Sequence, residues 1–213
     1  EGFGSEQSEY TQEINATVIS PEGLMVTSLM RVDPATMMAA LFPGDEDEGF
    51  ETKTEITAIR VLFGDKEVES EVVLRDRDLD LAFLRPLKKP EAPWKYSDLA
   101  TSTTPATFDP IFVLSRMGQV VNRLVTANDV RIYALIEKPR KLYIIGEYPA
   151  GGTPVYTAPG ACLGINVTRT LGVASNTGMG FTSGFDSNMA SIVVPGADIL
   201  ELIDQVPPYK KKK

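Results

Sequence analysis

Histidine is missing from this 213-residue chain. Its absence removes the commonest general base near neutral pH, the commonest zinc ligand and every histidine-based catalytic triad. Cysteine is nearly as scarce. Cys162 stands alone, so no intrachain disulfide can form, and its setting in ACLGI reads as that of a small buried hydrophobe. As a nucleophile it would need a base to supply thiolate. Long apolar runs are also lacking, none approaching the roughly 18 residues of a membrane-spanning helix. Positive charge is the minority sign, with 21 Lys and Arg against 29 Asp and Glu, a net charge of −8. Nucleic-acid binding needs clustered cations to neutralise phosphates, so this balance argues against it. The one basic cluster is Lys210, Lys211, Lys212 and Lys213, which reads first as a solvated end and second as a contact with an anionic surface. Neither a cofactor nor a metal ion is expected.

What remains is ordinary for a globular protein: 43% hydrophobic and 23% charged residues, in a length that suits one compact domain or two small ones. The chain opens on Glu1 rather than Met, which suggests a processed or trimmed N-terminus. Its pattern is strand-rich. EINATVIS (13–20) alternates, meets a turn at PEG, and is followed by the apolar LMVTSLM, together predicting a hairpin. DPATMMAALF (33–42) predicts a short helix, with Asp33 as N-cap and Pro34 in the first turn. The acidic PGDEDEGFE (43–51) lacks the ligand spacing of an EF-hand calcium loop and reads better as a solvated insertion. TEITAIRVLF and EVESEVVL flank a Gly-containing turn as a second hairpin. DLDLAFLRPL (78–87) is a further strand, and the Pro-, Ser- and Thr-rich residues 86–106 read as a linker. Beyond it PIFVLS, VNRLVTANDVRIYALI, KLYIIGEY, CLGINV and ASIVVP are further strands. Ile199, Leu202, Ile203 and Val206 then fall at helical spacing and predict an amphipathic C-terminal helix.

Four of these segments, in this order, carry a resemblance. VISPEGLMVTSLMRV, DRDLDLAFLRP, GGTPVYTAPGACLGINV and ASIVVPGADILELIDQV are similar to successive motifs of the trypsin-like serine proteases, HtrA (Do-like) branch. The resemblance covers residues 8 to 206. It implies an all-β fold of two six-stranded antiparallel barrels with a closing α-helix: an N-terminal barrel over 1–95, and a C-terminal barrel with helix and Lys tail over 96–213. It further implies a site in the cleft between the barrels, and a periplasmic or extracellular setting.

Read position by position, the resemblance places Met30 where the family has its histidine, Asp80 at the catalytic aspartate, and Gly151 where the family has its serine. A serine hydroxyl attacks only after a base takes its proton, while the carboxylate merely orients that base. Nucleophile and base are thus both absent. Pro149, which has no N–H, occupies a second oxyanion position. Shifting the register by one residue brings Ala150 and Gly152 there instead and still supplies no serine; Thr153 is the nearest hydroxyl. The expectation is a catalytically inactive pseudoprotease that works through a protein partner or as a homo-oligomer. The peptide-binding version uses an edge near 173–183, and the oligomeric version an N-terminal segment anchored by Phe3 and Tyr10. The alternative is a hydrolase with a non-standard nucleophile and base: a Ser/Lys dyad using Ser28, Ser115, Ser183 or Ser191, or an acid pair of Asp78 and Asp80. Asp80 is expected to serve more simply as an acceptor for loop backbone.

Overall fold

The computed structural model describes residues 11–33, 55–64, 66–146, 151–170 and 189–209. The N-terminal half is an antiparallel sheet of β1 (Thr17–Val18), β2 (Met25–Ser28), β3 (Ile59–Phe63), β4 (Lys66–Asp76) and β5 (Leu81–Pro86), in the order β1-β2-β5-β4-β3. β5 is central, and every one of its residues is buried, as its nearly continuous apolar run requires. A bulge between Val72 and Leu74 lets the longer β4 curl over β5. The sheet has five strands among the described residues, where six were expected; residues 34–54, which precede β3, lie outside them.

The C-terminal half is a closed six-stranded barrel, as expected. It comprises β6 (Pro110–Arg116), β7 (Val125–Ile136), β8 (Leu142–Ile145), β9 (Thr153–Thr157), β10 (Cys162–Thr170) and β11 (Met189–Pro195), in the order β10-β11-β8-β7-β6-β9. Ile111, Val113, Ile132, Val155, Leu163 and Val193 fill its interior. Bulges at 132/134 and 162/164 provide the bends that closure requires. Among the described residues there are two short α-helices, α1 (Leu29–Val32) and α2 (Gly196–Ile203). Ile199 and Leu202 of α2 are buried, and Ile203 and Val206 pack against the same core, as the spacing predicts. That core joins the two halves: Val26, Leu81 and Phe83 of the first sheet and Leu79 of the turn before β5 lie in one cluster with Leu99, Ile165, Ile192 and Ile199.

Three sequence expectations differ from the structure. Over 13–20 only Thr17–Val18 is strand; the side chain of Asn15 bonds the end of β6 at Arg116, and that of Glu13 bonds the loop after it. The strand expected over 24–30 stops at Ser28, and Leu29–Val32 form a helix that the Asp33 N–H closes on the Leu29 carbonyl at 2.8 Å; the helix expected over 33–42 falls almost wholly outside the described residues. Residues 34–42 and the acidic stretch 43–51 lie outside the described residues. The 86–106 segment runs from the first sheet towards the barrel, as a linker would, but it is packed. Trp94 stacks on Phe63 with ring centroids 4.0 Å apart, Ser97 bonds the Tyr156 hydroxyl at 2.6 Å, and Leu99 is buried in the shared core within a 3-10 turn.

Candidate functional site between the two sheets

The site forms where the β2–α1 corner of the first sheet meets the turn that opens β9. Register places it: β2 pairs with β5 so that Ser28 lies opposite Leu81, which brings the residue before Leu81 against the start of α1. That residue is Asp80. Its backbone takes a left-handed conformation, φ 55°, costly for a residue with a side chain. Buried Leu79 on one side and β5 on the other hold it there, and its carbonyl accepts the Leu29 N–H at 2.9 Å.

The strained backbone aims the Asp80 carboxylate into the corner. Oδ2 accepts from Ser28 Oγ at 2.6 Å and Oδ1 from the Met30 N–H at 2.8 Å. Both oxygens are therefore engaged by the chain itself. Burial pushes the carboxyl up to about 6; the Ser28 and Met30 hydrogen bonds and the charges of Arg169 and Arg31 act in the opposite direction without cancelling it.

Gly151 closes the site from the other side. It is buried, and a Cβ added there would lie 2.9 Å from Ser28 Cβ and 3.3 Å from Ser28 Oγ. The next residue, Gly152, is fixed by three constraints. Its φ is 83°, its N–H donates to the Asn166 carbonyl at 2.7 Å, and its carbonyl accepts from Thr17 Oγ1 at 2.8 Å. A side chain there would collide with Thr27 Oγ1 and the Asn15 carbonyl, so this turn requires glycine. Beside it runs an open groove of about 400 Å³ whose lining includes Asn15, Thr17, Tyr96, Ser115 and Thr153.

The structure thus brings Met30, Asp80 and Gly151 to one place, with Ser28 between the last two. Thr153 is buried at the start of β9. Ser28 is oriented by a carboxylate rather than a lysine, Ser115 Oγ lies 2.7 Å from Thr126 Oγ1, and Ser191 is buried on β11. Residues 77–80 form a turn in which Asp78 is exposed and Asp80 buried, so the two do not line one strand face. Pro149, Ala150, Ser183, the 173–183 stretch, Phe3, Tyr10 and the four terminal lysines lie outside the described residues. Cys162 is buried with its thiol pushed up to about 11 by that burial, which suits a packing role. No group of metal-ligating side chains occurs among the described residues.

Sequence reasoning missed Ser28 as the partner of Asp80. The signal was indirect: a buried carboxylate without an imidazole must draw its hydrogen bonds from somewhere, and only the β2–β5 register shows from where.

A closed six-stranded barrel, a second antiparallel sheet packed on it and a C-terminal helix make this a trypsin-like double-barrel fold. Solved structures of the same architecture include the MamO protease domain from Magnetospirillum magneticum (TM-score 0.57, 15% identity, 88% of this chain and 86% of that one). The Rv3671c protease from M. tuberculosis in its active form aligns with TM-score 0.57 and 19% identity over 93% of this chain and 75% of that one. A serine endoprotease from Yersinia pestis aligns with TM-score 0.55 and 15% identity over 89% of this chain, which spans only 56% of that longer protein. At these identities the likeness is one of fold. No protein-family model matches the chain, and no curated protein sequence does.

Proposed function

We propose that this chain is a trypsin-like pseudoprotease of the HtrA type, working by binding a protein partner or further copies of itself in an envelope or extracellular setting. The observation that carries the reading is the state of the corner. In a chain without histidine, both oxygens of the Asp80 carboxylate are engaged by Ser28 and Met30, and Gly151 offers no nucleophile. A carboxylate used in this way holds a hydroxyl and a backbone N–H of its own corner instead of orienting a base.

A second reading takes support from the same contacts. Ser28 Oγ sits 2.6 Å from a carboxyl raised to about 6, the arrangement of a nucleophile beside a weak base. Access favours the first reading. Ser28 is only 2% exposed and Asp80 6%, so a peptide carbonyl cannot approach the hydroxyl without the corner opening.

The test is treatment of the purified chain with a fluorophosphonate probe, alongside incubation with unfolded casein. Neither labelling nor cleavage is expected. Labelling that disappears in Ser28→Ala would establish the hydrolase reading instead. For the binding role, co-purification of a partner at constant ratio supports a structural subunit, and capture of free peptides supports a peptide-binding module.

A further inference from the structure

The hairpin joining β6 to β7 ends in an apolar projection that the core does not use. Val120 is 99% exposed, Leu124 61% and Val125 56%, with Met117 and Val121 also exposed beside them. Large apolar side chains gathered at one protruding point mark an interaction surface.

The projection is held in shape. Asn122 and Arg123 are consecutive residues in the left-handed region, φ 53° and 52°, a strained pairing for residues with side chains. The N-terminal segment clamps it. Glu13 accepts from the Gln119 N–H at 3.0 Å and from the Arg123 guanidinium at 2.5 Å. The Asn15 side-chain amide bonds both the N–H and the carbonyl of Arg116, at 2.9 and 3.1 Å. Met117 N–H to the Leu124 carbonyl closes the neck at 3.0 Å. Strain that surrounding contacts over-determine is typical of functional segments.

Charge and chemistry select the occupant. The tip itself, residues 116–125, contains Arg116 and Arg123 but no Asp or Glu of its own, with Asp109 and Asp129 at the far end of the hairpin, in a chain of net charge −8. Glu13 pairs with Arg123; Arg116 has no carboxylate partner among the described residues and spends one N–H on the Arg123 carbonyl at 3.3 Å. Protein hot spots favour Trp, Tyr and Arg and under-represent Val and Leu. A convex tip of Val, Val, Leu and Met makes no directional contact, which suits fluid hydrocarbon, while a guanidinium at its base suits phosphate. We propose that the β6–β7 tip is an interfacial anchor that enters an anionic phospholipid bilayer, with Arg116 at headgroup level. The anchoring would be shallow and reversible.

The full chain tests this. Val120→Cys can be labelled selectively with a nitrobenzoxadiazole fluorophore, since the one native cysteine, Cys162, is buried. Added to phosphatidylcholine vesicles with about one-third phosphatidylglycerol at about 1 mM lipid, the label is expected to shift to the blue and brighten. In flotation of unlabelled protein, Val120→Asp is expected to lower vesicle binding about tenfold or more, and Arg116→Gln about fivefold. Both variants sit on the surface, and circular dichroism verifies their fold. An unshifted label overturns the proposal, as does vesicle binding that Val120→Asp leaves intact, which would place the contact elsewhere, as in the lysine tail. A shift without lipid that grows with protein concentration also overturns it, in favour of association between copies.

Discussion

Asp80 concentrates the physics of the site in one side chain. Its folded value of about 6 lies above the ordinary 3.8, so the folded chain holds this proton more tightly than the unfolded chain does. Below both values the two states bind it equally. As pH rises from 3.8 towards 6 the unfolded chain releases the proton and the folded chain retains it, so this group's contribution to stability falls, by up to about 3 kcal/mol once both are ionised. Asp80→Asn removes the titration. In urea denaturation at pH 4, 5 and 7, the variant is expected to gain on the wild type as pH rises; a gap constant with pH would contradict the shift. Gly151 makes a companion case. Its φ is unexceptional, but Ser28 occupies the space that a side chain would need, at 2.9 Å from the would-be Cβ. Gly151→Ser is expected to destabilise by about 1–3 kcal/mol through overpacking. Met30→His with Gly151→Ser is expected to yield no peptidase, because the Ser28 hydroxyl already holds the carboxylate; casein hydrolysis by that double variant would show that the corner yields more readily than its contacts imply.

At the scale of elements, the segment that reads from composition as a linker is a structural member. Leu99 is buried against α2 and β10 within the cluster that both halves share, which predicts a loss of about 2–5 kcal/mol for Leu99→Ala, measurable by chemical denaturation. A loss under about 0.5 kcal/mol would return 86–106 to a linker. The reason it was not legible is physical. Pro, Ser and Thr signal irregular backbone, and the backbone here is irregular; composition says nothing of whether such backbone is packed. The opposite holds for α2 and the β3–β4 hairpin, whose periodicities of 3.6 and 2 are imposed by which face is buried and are written directly in the residue types. Residues 13–16 fail for a third reason. Their alternation mimics a strand, but the side chains of Asn15 and Glu13 bond to the end of β6 and the loop after it, about 100 positions away. The site divides similarly. Met30, Asp80 and Gly151 were legible from motif order, whereas the Ser28 contact depends on a cross-strand register that no local pattern encodes.

At the scale of the whole molecule, the two sheets share one core, and the chain's last described residues fasten it. Arg85, buried on the central strand β5, donates to the Pro207 carbonyl at 2.5 Å and to Glu71 Oε1 at 2.9 Å, and lies 4.5 Å from the Tyr209 ring centre. The segment after α2 is thereby tied back to the N-terminal sheet. A core that takes side chains from both halves cannot lose one half and keep the other, so unfolding is expected as one cooperative transition. The sequence offers a local reporter: its one tryptophan, Trp94, stacks on Phe63 of β3 and senses the N-terminal sheet, while far-ultraviolet circular dichroism reads all strands. The two urea curves are expected to coincide. Arg85→Ala, which removes charged hydrogen bonds worth about 1.5–3 kcal/mol, is expected to move both midpoints down together. The exposed side of the Arg85–Glu71 pair adds little to that figure. Curves that separate, with tryptophan emission changing first, would mean that the first sheet opens alone and that the shared cluster couples the halves more weakly than its burial implies.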